Sequence, residues 1–102
     1  MNELPNLEPE AGAVETAEVH YSPDMLVKAF ALGPGAEVEP HEHPDQTNTF
    51  HVVRGVLRIT QGTDEAQIGA PGVVVHEPGV PHGARNDTEE VAIFTATMAP
   101  ME

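Results

Sequence analysis

Short apolar runs alternate along this chain with breaks rich in Gly and Pro, and no stretch shows the 3.6-residue periodicity of an amphipathic helix. Met25 to Leu32 places Leu26, Phe30 and Leu32 on one face and Val27, Ala29 and Ala31 on the other. A strand apolar on both faces is covered on both sides, and Glu90 to Met98 reads the same way. Further strands are predicted over Glu18 to Tyr21, Val38 to His43, Thr49 to Val53, Val56 to Thr60, Glu65 to Ile68, Val73 to His76 and His82 to Arg85. Gln61-Gly62-Thr63-Asp64 reads as a hairpin turn and Glu77 to Pro81 as a rigid loop. About eight to ten short strands at this spacing predict an all-β fold, an antiparallel jelly-roll β-barrel with room for side chains or one small ligand.

The first stretch breaks the pattern. Residues 1–16 are acidic and interrupted by Pro5, Pro9 and Gly12, so they are expected to form an arm, with one compact domain over residues 17–102. A length of 102 residues supports one modest core. Ten Pro, nine Gly, three Phe and one Tyr fit many tight turns better than a helical bundle.

Charge narrows the partners. Seventeen acidic residues face only Lys28, Arg54, Arg58 and Arg85, for a formal net charge of −13. That field repels phosphate backbones and anionic lipid, so neither nucleic acid nor a membrane is an expected partner, and a small molecule is. The same excess suits work in high salt, where self-repulsion is screened, as well as ordinary solubility. No basic, apolar leader opens the chain and no run is long enough to span a bilayer, which makes the cytoplasm the expected location. The absence of cysteine removes disulfides, thiolate ligands and thiol nucleophiles, leaving imidazole nitrogen and side-chain oxygen for any metal.

Histidine spacing then carries the chemistry. His41 and His43 are held by Pro40 and Pro44 in extended backbone, where residues two apart point the same way. A third histidine, His82, follows 39 residues after His43, behind Pro-Gly-Val-Pro. Gly35, His41, His43, Asn48 and Gly55 have five, one, four and six residues between them, and Gly79, His82 and Asn86 follow at spacings of three and four. These two stretches resemble the first and second motifs of the cupin family. The resemblance spans Gly35 to Asn86, about half the chain.

The resemblance implies a conserved β-barrel holding a divalent transition metal (Fe, Mn, Ni, Cu or Zn) on His41, His43 and His82, with open positions for water or substrate. It implies oxygenase or isomerase chemistry on a small oxygen-rich molecule, or else a non-catalytic metal- or ligand-binding module or a metal store. The cysteine crosslink of thiol dioxygenases has no counterpart. The family also pairs barrels often, and the doubly apolar strands agree with a homodimer. Two departures stand out. Asn48 occupies the position of the usual metal-binding glutamate, leaving a neutral amide as the fourth ligand, with Gln46 as the alternative if the strand bulges. Glu77 replaces a usual proline, and the distance from Gly72 to His82 is one residue short.

Other residues have bland readings beside functional ones. His51, odd to Asn48, is expected to face away from the site, whereas Phe50 shares the parity of Asn48 and is expected in the pocket wall. His76 and His20 are candidates for an acid or base at the pocket mouth. Arg85 is a candidate for attracting an anionic substrate, with a salt bridge to a glutamate as its ordinary role.

Overall fold

The computed structural model describes residues 3–102. Among the described residues nine strands form two antiparallel sheets: β1 (Val14–Tyr21), β2 (Leu26–Leu32), β3 (Glu37–His41), β4 (Thr47–Arg54), β5 (Val56–Gln61), β6 (Asp64–Gly69), β7 (Gly72–His76), β8 (His82–Arg85) and β9 (Ala92–Ala99). One sheet runs β1-β2-β9-β4-β7 and the other β3-β8-β5-β6. The two fold face to face as an all-β jelly roll, which removes most exposed edges. The turn at Gly62-Thr63 closes a two-residue hairpin with Gln61 opposite Asp64, and Gly62 has a φ of 61°.

The core is the shared interior. Leu32, Phe50, Val52 and Phe94 from the first sheet meet Leu57, Ile59 and Ala84 from the second, all almost fully buried. Phe94 anchors it, with its ring 4.9 Å from that of Phe30 in a parallel stack and 4.5 Å from that of Phe50. Register explains the stack, because Phe30 lies opposite Phe94 across β2 and β9.

The first strand begins at Val14, four residues before the expected Glu18. Its sequence, VETAEVHY, lacks an apolar run because β1 is an edge strand that is ordered by pairing with β2. The residues before it also engage the barrel. Pro9 is buried, Gly12 N–H donates to Pro34 O at 2.7 Å, and Glu8 pairs with Arg54 at 2.6 Å. Gly33 makes this possible, since a Cβ there would collide with the Glu10 carbonyl.

Candidate metal centre

Two elements bring the histidines together. His41 ends β3 and lies opposite His82, the first residue of β8. His43 is not in the strand as expected: β3 stops at His41, and the chain turns at Pro44-Asp45. The loop is fixed instead by the Gly79 N–H, which donates to the His43 carbonyl at 2.9 Å. Gly79 has a φ of 79°, a left-handed conformation that glycine adopts without strain, so this glycine lets one histidine loop clip onto the other.

The three rings face one another. Their centroids are 5.1 Å apart for His41 and His43, 4.8 Å for His41 and His82, and 5.4 Å for His43 and His82. One nitrogen from each lies within 4.8 Å of the others. Ligands about 2.1 Å from a common ion stand about 3 to 4 Å apart, a spread close to the one found here.

Tautomers are set by the backbone. His41 Nδ1 donates to Glu39 O at 2.9 Å, and His82 Nδ1 donates to Val80 O at 2.9 Å. A carbonyl only accepts, so both Nδ1 atoms carry the proton and both Nε2 atoms present a lone pair. Burial lowers the His82 pKa most, opposed by the Val80 bond, with His41 and His43 lowering it further. His43 is lowered by burial and then by His41. Both shifts favour the neutral, ligating imidazole.

Asn48 is buried beside them at 2% exposure, and its Nδ2 donates to His82 Nε2 at 3.1 Å. Its Oδ1 is buried without a hydrogen-bond partner among the described residues. A buried amide oxygen left unpaired is costly, and it is a neutral donor of the kind a divalent ion accepts. Gln46, the alternative, precedes β4 and lies outside the cavity lining.

His76 is corrected. It is fully buried behind His82, its ring stacked at 4.4 Å and 10°, rather than at the pocket mouth. It points inward because β7 pairs with β4 and sets His76 opposite Asn48. Gln61 Nε2 donates to its Nδ1 at 3.0 Å. Burial, with His82 and His41, pushes its pKa down to about 4. His20 is exposed on β1 and His51 is exposed on β4, neither in the cavity lining. Arg85 binds Asp87 at 2.7 Å and Glu65 at 3.7 Å outside the cavity, so its nearer partner is an aspartate. Asn86 stands away from the cluster. Its Nδ2 donates to Leu32 O, Gly33 O and Glu90 O, and its Oδ1 accepts from Thr88.

His41, His43 and Asn48 open on a cavity of about 200 Å³ walled by Leu26, Phe30, Phe50, Phe94 and Met98, with Lys28 among its lining residues. Phe50 is in the wall as its parity with Asn48 predicts. Lys28 is the contribution that charge counting did not place. It shares the inward parity of Leu26 and Phe30, and the signal for it was a lone cation inside an apolar strand.

A jelly roll with convergent imidazoles in a mostly apolar pocket defines a small histidine-lined β-barrel protein. The chain belongs to the cupin family, whose Cupin domain model matches residues 29–98. It is 35% identical over 71 residues, 69% of its length, to the H2HPP isomerase of Bacillus subtilis, and spans only 30% of that relative. A crystal structure of an uncharacterized conserved protein with a double-stranded β-helix domain from Klebsiella pneumoniae superimposes with a TM-score of 0.86 at 29% identity, covering 94% of this chain and 84% of that one. A predicted oxalate decarboxylase from Thermotoga maritima shares the fold, with a TM-score of 0.81 at 21% identity over 85% of this chain and 80% of that one.

Proposed function

We propose that the chain binds a divalent transition metal (Fe, Mn, Ni, Cu or Zn) through one nitrogen each of His41, His43 and His82, and that it isomerises a small oxygen-rich molecule in the adjoining cavity. The observation that carries this reading is the pair of backbone-locked tautomers, which turns the Nε2 lone pairs of His41 and His82 toward the cluster, that of His82 accepting from Asn48 Nδ2. A half-turn of the Asn48 amide exchanges Nδ2 for Oδ1 beside His82, offering a neutral fourth ligand in place of a hydrogen bond to the same lone pair. When bound, such an ion supplies Lewis acidity to a coordinated carbonyl or enol oxygen. The apolar wall orients the substrate's carbon frame and excludes water from it. The isomerase name of the Bacillus subtilis relative favours isomerisation over oxygenation.

The test is elemental analysis of protein purified without added metal, followed by turnover assays on enols, diketones and sugars. His43→Ala is expected to lower metal content sharply, and an unchanged metal-to-chain ratio in that variant sinks the site. A second reading, a non-catalytic binding module, is favoured by the lack of Asp or Glu in the cavity lining, which leaves no carboxylate base there. Metal-loaded protein that binds but converts none of these compounds selects it.

The outer face of the five-stranded sheet supports a homodimer. Val27, Ile93, Thr95, Thr97, Val73 and Val75 face outward there by strand alternation, with Val73 59% and Val75 51% exposed. In a chain of net charge −13, a second copy approaches most easily across this largely uncharged face, where Glu15 and Arg54 are the charged residues beside Ile93 in the register. Val75→Glu is expected to shift the molecular mass in solution from dimer to monomer, and a wild-type monomer refutes the pairing.

A further inference from the structure

The four cations of this chain are not equivalent. Arg54 pairs with Glu8, Arg58 with Glu65 and Asp87, and Arg85 with Asp87 and Glu65. Lys28 alone forms no ion pair among the described residues, although 17 carboxylates are available. Glu18 lies opposite it across β1 and β2 but makes no ion pair with it. Its Nζ instead lies 5.3 Å from the centroid of Phe30, within the lining of the cavity that holds His41 and His43. An ammonium half-buried on an apolar wall is underpaid in hydrogen bonds, and an aromatic face offsets only part of the hydration it gives up.

We infer that Lys28 is the anion-holding residue of this cavity and that its ligand is a small carboxylate, with oxygen donors at one end for the histidine cluster and the carboxylate at Lys28. This deepens the proposed function and rests on its reading of the cavity as the substrate site. The geometry assigns the polarity of the ligand. His41, His43 and Lys28 line the same cavity with the apolar side chains of Phe30, Phe50, Phe94, Leu26 and Met98, which suit the carbon frame of such a ligand. The absence of carboxylates from the lining leaves the ammonium free for an incoming anion, and among the described residues Lys28 is the one Lys or Arg side chain without an ion pair.

The chain's single lysine makes the test direct. Reductive dimethylation with ¹³C-formaldehyde keeps the charge and gives Lys28 its own NMR signal, separate from that of the terminal amine. Two probes are titrated into metal-loaded protein: 2,4-dioxopentanoate, and pentane-2,4-dione, which keeps the diketone and lacks the carboxylate. The Lys28 signal is expected to move saturably with the first and not with the second. Lys28→Met is expected to weaken 2,4-dioxopentanoate binding about tenfold, with pentane-2,4-dione affinity and metal content unchanged and Lys28→Arg restoring much of the loss. Equal movement of the signal with both probes, no saturable movement up to the solubility limit, or equal weakening of both ligands in Lys28→Met overturns the inference. Elemental analysis of the same sample keeps the two readings apart. Protein that refuses metal fails the metal assignment, while the Lys28 signal on that sample still answers for the carboxylate.

Discussion

Two buried carboxamides divide this barrel. Asn86 satisfies its side chain with carbonyls of Leu32, Gly33 and Glu90 and with the amide and hydroxyl of Thr88. Asn48, equally hidden, has one hydrogen bond, to a histidine nitrogen, and an oxygen with no partner among the described residues. Both are asparagines on the inside of one small domain, yet the first ties loops together and the second faces a cavity. Burial alone therefore does not separate structure from chemistry here. What separates them is whether the polar atoms are used up.

The contrast can be broken at several points. The largest effect is expected from His82→Ala on the Asn48 side: metal affinity falls at least about a hundredfold, because even removal of a residue that only supports a ligand costs about 10- to 100-fold. Competition with a chromophoric chelator reads it. Next, on the Asn86 side, Asn86→Ala is expected to lower stability by about 3 kcal/mol, since several buried carbonyls lose their donor, while metal per folded chain stays unchanged. Denaturant midpoints and elemental analysis check the two halves of that statement. A comparable stability loss from Asn48→Ala erases the distinction.

Acid probes the same end through His76. Its folded pKa of about 4 lies below the ordinary 6.5, so between those values the unfolded chain binds more protons than the folded one. The His76 contribution to the stability of metal-free protein is therefore constant above about pH 6.5, declines as pH falls toward 4, and loses on the order of 3 kcal/mol across that window, with His43 and His82 acting in the same direction. His76→Leu is expected to flatten the decline seen in urea midpoints against pH. The smallest effect is expected from Asn48→Glu, which adds a negative ligand and tightens metal binding about tenfold. Weaker binding in a variant that keeps its fold means that the side chain at position 48 points elsewhere.

How much of this could be read from the residues follows the range of the interactions. Strand parity put Phe50 with Asn48 inside and His51 outside, because that relation is local, whereas His43 joins His41 from beyond the end of β3, through a loop held by the distant Gly79. Lys28 was legible only as a charge, since nothing near it in sequence says which cavity its strand walls. His76 was misplaced because its depth depends on β7 pairing with β4, a partner more than 20 residues away. Asn86 matched a motif, but its work is done on carbonyls 53 and 54 residues distant, which no spacing reveals. Edge strand β1 extends beyond its expected start because pairing, rather than its own apolar content, holds its first half.

The order of strands in the two sheets has a consequence for dissection. Cut at the Gly62-Thr63 turn, the chain gives one piece with β1 to β5 and another with β6 to β9. In β1-β2-β9-β4-β7 and in β3-β8-β5-β6, no strand of the second piece neighbours another from that piece. The later piece thus has no sheet of its own to fold into, and the earlier one keeps only the β1-β2 ribbon. Since His41 and His43 travel with one fragment and His82 with the other, metal uptake by a mixture of the two becomes a reporter of their interleaving.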